Sequence, residues 1–402
     1  MDIVKKYQKI RAEFSSVFGN CTLTNNKINR ETIDYKEAYS LADYILNFPI
    51  KIKSKPIKLY DLITHIDVID IIIDTIEQYA SAFNEKKEET VLLSMFIDYA
   101  HFLNLLDRNL NASPLSLTTA LIPIPFAPLD NHDIQISNNI TLSTDSLIDY
   151  ETFDSPRGFG LRILNSNSGE KIPVLKISKS GYPSRDKNSD TILSILSRYK
   201  EFVIVCMLMG LIEFSENIFH ERKFLNFFIT DNQTKKIKHR FPMSVNESLF
   251  AFKKNKTFEK DFFVDGNIIS AFFNNTSVDK HIICSSLVWL FDSYLSEDTL
   301  TSIINLSISI ESLLSDENKQ KATEALVSKF AYSLGTLPSV RSHLKEEMEK
   351  FYNIRSNIVH GRDVKSKKEA HDKLVMIRIF FEKELKREID CLVNRKRFLS
   401  LF

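Results

Sequence analysis

From about residue 277 onward the chain reads as one helix after another, and that run constrains the fold more than any other feature. The segments are DKHIICSSLVWLFDSYLS, EDTLTSIINLSISIESLLSD, KQKATEALVSKFAYSLG, SVRSHLKEEMEKFYNIRSNIVHG and KKEAHDKLVMIRIFFEKELKREIDCLVNRKRFL. Short turns such as GTLPS separate them, and turns that short make successive helices pack back on one another. About five helices joined in this way predict a helical bundle.

The chain before residue 277 is mixed. Segments rich in helix formers lie at 34–48, 59–83 and 90–110, with apolar residues recurring at three and four positions, as in LITHIDVIDIIIDTIEQYA. The character changes after residue 112, where prolines at 123, 125 and 128 bar a continuing helix. Short β-branched runs then alternate with turn residues, as in IQISNNITL, GFGLRIL and KIPVLKIS. Residues 115–180 are therefore expected to form a small antiparallel sheet or strand-rich insertion. Helix signals return in SDTILSILSRYKEFVIVCMLMGLIEFSENIF, where Ser189 or Asp190 is placed to cap the start. The stretch 224–265 is open between strands and loops. Together these segments predict an α+β fold, mostly helical, with a region over 1–270 and a helical bundle over 277–402.

With 43% hydrophobic and 26% charged residues in 402, the chain has the composition of a folded protein with a real core. Its formal charge of +1 hides an uneven distribution: residues 351–402 hold 13 Lys and Arg against 7 Asp and Glu. A basic end suits a polyanionic partner. Cys21, Cys206, Cys284 and Cys391 form no CxxC pair, which argues against a zinc ribbon or a disulfide framework and fits a reducing cytoplasm. MDIVKKYQKI lacks the apolar stretch of a signal peptide, and FVIVCMLMGLI at 202–212 is too short to span a bilayer and reads as a buried helix. His65, His101 and His132 have no second ligand at metal-binding spacing, and GFG at 158–160 lacks the helix and lysine of a phosphate loop.

One constellation carries chemistry. Residues 351–363 read FYNIRSNIVHGRD, placing Arg355 and His360 five positions apart before Gly361. On a regular helix five residues leave the two side chains roughly 140° apart. Two geometries accommodate this: His360 sits at a helix end turned by Gly361, or two copies of the segment face each other and pool their side chains. Either puts a permanent cation beside an imidazole, a type of group that titrates near neutrality. That combination suits phosphoryl chemistry, with the guanidinium on phosphate oxygens and the imidazole moving a proton.

The segment Arg355-Ser-Asn-Ile-Val-His360 resembles the Arg-x4-His motif of HEPN domains. Tyr352 before it and Gly361 after it resemble the ApeA-like branch of bacterial antiviral HEPN proteins. LSISIESLLSD, with Glu311, is similar to that branch's acidic helix, and KATEALVSKFAYSLG to the helix that follows it. The resemblance covers roughly 280–395. It implies a metal-independent endoribonuclease without a cofactor, in which two subunits build one composite site. The ribose 2′-OH attacks the adjacent phosphate to leave a 2′,3′-cyclic phosphate, His360 exchanges the proton, and Arg355 stabilises the phosphorane charge. Ser356 and Asn357 are candidates for orienting hydrogen bonds, although many HEPN nucleases carry Asn, Asp or His where Ser356 stands. Glu311 either fixes the arginine for catalysis or forms a structural ion pair with it. The expected partners are RNA, tRNA among its classes, a second copy of the chain and a phage-derived trigger sensed by the first 270 residues, with no membrane. The implied setting is anti-phage defence or a toxin-type system. A non-catalytic module binding RNA or a partner protein is the alternative. The basic residues at 365–368 and 395–397 read either as a solvated face or as phosphate contacts.

Overall fold

The computed structural model describes residues 3–47, 49–52, 55–58, 63–83, 90–93, 98–112, 117–123, 133–145, 172–214, 226–231, 237–242, 250–252, 267–314, 322–362 and 366–399. The fold is α+β, mostly helical, with antiparallel strands in the N-terminal half and helices throughout the C-terminal part. The chain divides into two compact units. One comprises Met1–Leu121, Ser178–Ile195 and Phe228–Phe241, the other Ile122–Ile177, Leu196–Phe227 and Pro242–Phe402.

The first unit opens with helix α1 (Ile3–Phe18), then strands β1 (Thr22–Thr24) and β2 (Lys27–Ile28), helix α2 (Tyr35–Leu46), strands β3 (Pro49–Ile52) and β4 (Lys55–Lys58), helix α3 (His65–Phe83), strand β5 (Val91–Leu92) and helix α4 (Tyr99–Ala112). Asn25 and Asn26 both take positive φ, 53° and 60°, and so make the two-residue turn that lets Thr24 pair with Lys27. Asparagine tolerates that conformation, which matches the twist of a hairpin. Asp34 caps α2 by accepting from the amides of Lys36 and Glu37. The helices pack through Phe14, Phe18, Leu41, Ile45, Ile69, Ile72, Ile76, Phe102 and Leu106, all at most 2% exposed.

Two sequence expectations shift here. The helix expected over 59–83 begins at His65, and the one expected over 90–110 begins at Tyr99. Val91 and Leu92 instead pair with Leu23 and Thr22 of β1. A partner strand about seventy residues away satisfies backbone groups that local propensity would have assigned to a helix.

Helix α3 also carries acids at 67, 70, 74 and 77, a helical spacing that puts them on one face. Asp70, 2% exposed, receives Arg30 Nη1 at 3.0 Å and Arg185 Nε at 2.9 Å. Asp74 receives Lys238 Nζ and the Tyr182 hydroxyl, each at 3.1 Å. The Ile28 amide donates to Glu77 at 3.3 Å. Burial pushes the Asp67, Asp70 and Glu77 carboxyls up, and the arginines only partly offset it at Asp70.

His239 lies in the same network, on the strand Ile237–Pro242. Burial, aided by the cations of Lys238 and Arg185, pushes its imidazole down to about 4. Its folded-state value lies below the unfolded one, so its contribution is present at neutral pH and is lost as pH falls from about 6.5 towards 4. The raised carboxyls work in the opposite sense, which makes the comparison with a variant the informative one. Chemical denaturation of wild type and His239→Gln should show their stability difference moving by about 1–3 kcal/mol between pH 7 and pH 4.5, with the wild type losing more. Parallel pH curves would remove His239 from this account.

The strands expected over 115–180 are β6 (Leu117–Pro123), β7 (Ile134–Ser137), β8 (Ile140–Asp145) and β9 (Ile172–Ser180). In the first unit β6 pairs antiparallel with β11 (Asn226–Asp231), Leu121 facing Phe228 and Thr118 facing Asp231. Strand β12 (Ile237–Pro242) follows β11 and neighbours it in the sheet. In the second unit β8 pairs antiparallel with β7 and with β9, Ile140 facing Ile177 and Asp145 facing Ile172. GFGLRIL and TFEKDFFV lie outside the described residues.

Helix α5 (Asp190–Leu208) is capped by Ser189, whose hydroxyl accepts the Ile192 amide at 3.4 Å. The apolar run 202–212 is helical only to Leu208. Gly210 turns the chain at φ 75°, and Ile212 enters strand β10 (Ile212–Phe214), paired with β13 (Phe250–Phe252). Among the described residues no helix is long and apolar enough to cross a membrane.

Five helices close the second unit: α6 (Val278–Leu295), α7 (Thr299–Leu314), α8 (Ala322–Leu334), α9 (Pro338–Val359) and α10 (Lys367–Leu399). Small residues let α6 and α7 approach closely. The hydroxyls of Ser286 and Ser309 each donate to the other's carbonyl, at 3.0 and 2.6 Å, and Ser293 donates to the Ser302 carbonyl at 3.0 Å. All four serines are buried, and these bonds satisfy polar groups that would otherwise be costly there. Helix α10 presents Ala370, Leu374, Ile377, Phe381, Leu385 and Ile389 to the core, a three- and four-residue spacing. Its Arg378 bonds the Ser293 carbonyl at 2.8 Å and lies 4.1 Å from the Tyr294 ring centroid, whose hydroxyl bonds Glu382.

Candidate functional site

Helix α9 buries Leu344, Met348, Phe351 and Tyr352 along one stripe, and Arg355 is the next position on it. The guanidinium therefore points where the core opens to solvent, and its side chain is 32% exposed. Opposite stands Glu311 of α7. Arg355 Nη2 lies 3.6 Å from Glu311 Oε1, within ion-pair range but too long for a hydrogen bond.

Both ends of α7 are held, which fixes where Glu311 stands. At the start, Asp298 accepts the Thr301 amide and hydroxyl at 2.9 and 3.0 Å, contacts that lower its carboxyl. At the end, Lys329 of α8 donates to the Leu314 carbonyl at 3.1 Å. Neither contact stands out in the sequence except as an aspartate three residues before a threonine and a lysine late in its helix. Helix α9 is tied to α10 by the pairing of Glu347 with Lys373, and Lys350 adds a 3.0 Å contact to the same carboxylate.

The helix ends at Val359, and His360 is its C-cap residue. Gly361 takes φ 64°, its amide donating to the Ile358 carbonyl at 3.1 Å, while the Arg362 amide reaches the Asn357 carbonyl at 2.8 Å. This is the paired-bond termination that needs a left-handed residue. A Cβ at 361 would meet nothing within 4 Å, so glycine is favoured by backbone conformation alone. The turn leaves His360 exposed.

Of the two geometries open from sequence, the structure has the helix end turned by glycine. It does not bring the two side chains together. His360 N still bonds the Ser356 carbonyl at 3.0 Å, so its position around the axis remains that of a helix, roughly 140° from Arg355. Among the described residues the His360 imidazole has no hydrogen-bond or ion-pair partner. Ser356 and Asn357 are half-buried and lend their carbonyls to the helix end. Tyr352, 7% exposed, packs edge-on against Phe351 and faces Glu311, and burial with that carboxylate pushes its phenol well above the usual range. Among the described residues no group of three or more His, Cys, Asp or Glu is placed to hold a metal ion.

No family model, no curated protein and no solved structure matches this chain.

Proposed function

We propose that this protein is a metal-independent endoribonuclease of the HEPN type, acting in the cytoplasm in an anti-phage or toxin-type role. The observation that carries the reading is the stretch from Arg355 to His360. A half-buried arginine is held loosely by Glu311, and an exposed histidine is presented one turn later on a glycine-terminated helix end. Arginine in that setting offers planar donors to phosphate oxygens. The histidine, open to solvent, is accessible to a substrate's ribose and can take the proton from its 2′-OH as that oxygen attacks the neighbouring phosphorus. The bond to the 5′-oxygen breaks as the imidazolium gives the proton to that leaving oxygen, so the products are a 2′,3′-cyclic phosphate and a 5′-hydroxyl and the imidazole is restored. Arg355 stabilises the charge that builds on the phosphorane.

Because Arg355 and His360 point away from each other on one helix, a complete site takes one residue from each of two chains. The surplus of basic residues after 350 draws RNA to this end.

The deciding experiment incubates purified protein with total RNA in EDTA, wild type beside His360→Ala. Cleavage by the wild type alone, with cyclic phosphate on the products, is expected. Products bearing 5′-phosphates, or a requirement for a divalent ion, would refute the mechanism. Arg355-dependent RNA binding without any cleavage would favour the non-catalytic module.

A further inference from the structure

At the corner between α8 and α9 an aromatic ring stands out of the surface beside a fixed cation. Tyr332, on the last turn of α8, is 67% exposed. The Arg341 guanidinium carbon lies 4.7 Å from its ring centroid, a stacking distance, and most of the ring stays open. Arg341 is held in place, because its Nε donates to the Gly335 carbonyl at 2.7 Å and so caps the end of α8. Gly335 permits that approach: a Cβ there would lie 2.6 Å from Arg341 Cγ and 2.8 Å from the Ala331 carbonyl oxygen. A second arginine, Arg387 of α10, donates to the neighbouring Ser333 carbonyl at 2.9 Å, but it is neutralised by Glu384 and Glu388 at 2.7 and 3.0 Å. Among the described residues Arg341 has no carboxylate partner, and its two terminal nitrogens bond nothing. Leu337 and Val340, at the same corner, are also exposed.

We propose that Tyr332 and Arg341 form a second contact for single-stranded RNA: a base stacks on the open part of the ring, and the guanidinium holds an adjoining phosphate. The proposal rests on the reading above that the chain acts on RNA. An unpaired cation fixed beside an exposed ring matches a nucleotide, which carries a flat base and a negative charge together. Every base has a π-face, so the ring accepts any sequence. The guanidinium, pinned through Nε, keeps its terminal nitrogens for phosphate oxygens and needs little further ordering. Fourteen residues separate Arg341 from Arg355, about 21 Å along α9. The contact therefore lies outside the chemistry and is reached only by a strand that extends several nucleotides from the cut, so it favours long single strands over short fragments.

The test measures binding of the full-length protein to an unstructured, mixed-sequence 2′-O-methyl RNA, which keeps the phosphates and supplies no nucleophilic hydroxyl. Tyr332→Ala should weaken binding roughly tenfold, the loss of one stacked base, with the salt dependence unchanged. Tyr332→Phe keeps the ring and should restore the wild-type affinity. Arg341→Gln retains a donor for the Gly335 carbonyl but loses the charge, and should lower the slope of log K against log salt by about 0.7, one phosphate contact on a single strand. The decisive arm is a strand of the same length without bases: wild type and Tyr332→Ala should bind it equally, whereas a merely structural tyrosine would weaken both. Wild-type affinity in Tyr332→Ala, an equal loss on the base-free strand, or an unchanged salt slope in Arg341→Gln overturns the inference. Unchanged RNA affinity with altered self-association in sedimentation would assign the corner to a protein partner and overturns it as well. If the Tyr332-dependent binding appears but natural RNA is never cut, the nuclease assignment fails and the stacking contact stands. If RNA is cut in a His360-dependent way while Tyr332→Ala binds normally, the stacking contact fails and the nuclease stands. If the wild type binds no RNA, both fall.

Discussion

On the proposed nuclease reading, His360→Ala should lower RNA cleavage by about 10²–10⁴-fold, the range that a positioned proton-transfer group supplies. Arg355→Ala should lower it by about 10²–10³-fold, as expected when a donor aimed at developing charge is removed. Thermal melts of both variants should stay close to wild type. His360 is exposed at the helix end, and the Arg355 contact to Glu311 is a long, half-exposed ion pair of the kind that contributes about 1 kcal/mol or less. Arg355→Lys serves as the control for charge: it keeps the cation but loses the planar fork, and should recover only part of the activity. Unaltered cleavage by either alanine variant would mean that the chemistry lies elsewhere in the chain.

Mixing an inactive Arg355→Ala protein with an inactive His360→Ala protein should restore activity if the proposed two-chain site is right. The basis is angular: a regular helix through residue 360 holds the two side chains roughly 140° apart, so one chain's arginine is better placed to meet another chain's histidine. If subunits exchange freely, half of the dimers are mixed and each of those holds one intact combination of two. The mixture should then reach about a quarter of wild-type turnover, from two components that each show almost none. Two cationic motifs facing each other repel, so subunit pairing and RNA binding should reinforce each other and weaken together as salt rises. Cleavage by a monomer, checked by sedimentation at the assay concentration, would end the two-chain account.

What the sequence by itself determined is the local part. Apolar residues at three- and four-residue spacing placed the five C-terminal helices, because a helix closes its hydrogen bonds within its own segment. Ser189 at the start of α5 and Gly361 at the end of α9 were legible for the same reason: a cap hydroxyl and a left-handed glycine act on amides and carbonyls a few residues away. The strands between 115 and 180 announced themselves by alternation and turn residues. The motif residues Arg355 and His360 were visible too, but only as letters at a spacing.

Only the tertiary structure decided what lies between distant segments. Val91 and Leu92 became a strand because β1 was there to pair with them. The acids of α3 gained meaning from Arg30, Arg185 and Lys238, brought to them from three other segments. The 3.6 Å approach of Arg355 to Glu311 depends on how α9 lies against α7, and so does the burial of Tyr352 beside them. Such contacts depend on how whole helices and strands are placed, and short-range backbone preference, which the sequence displays residue by residue, carries no information about that placement.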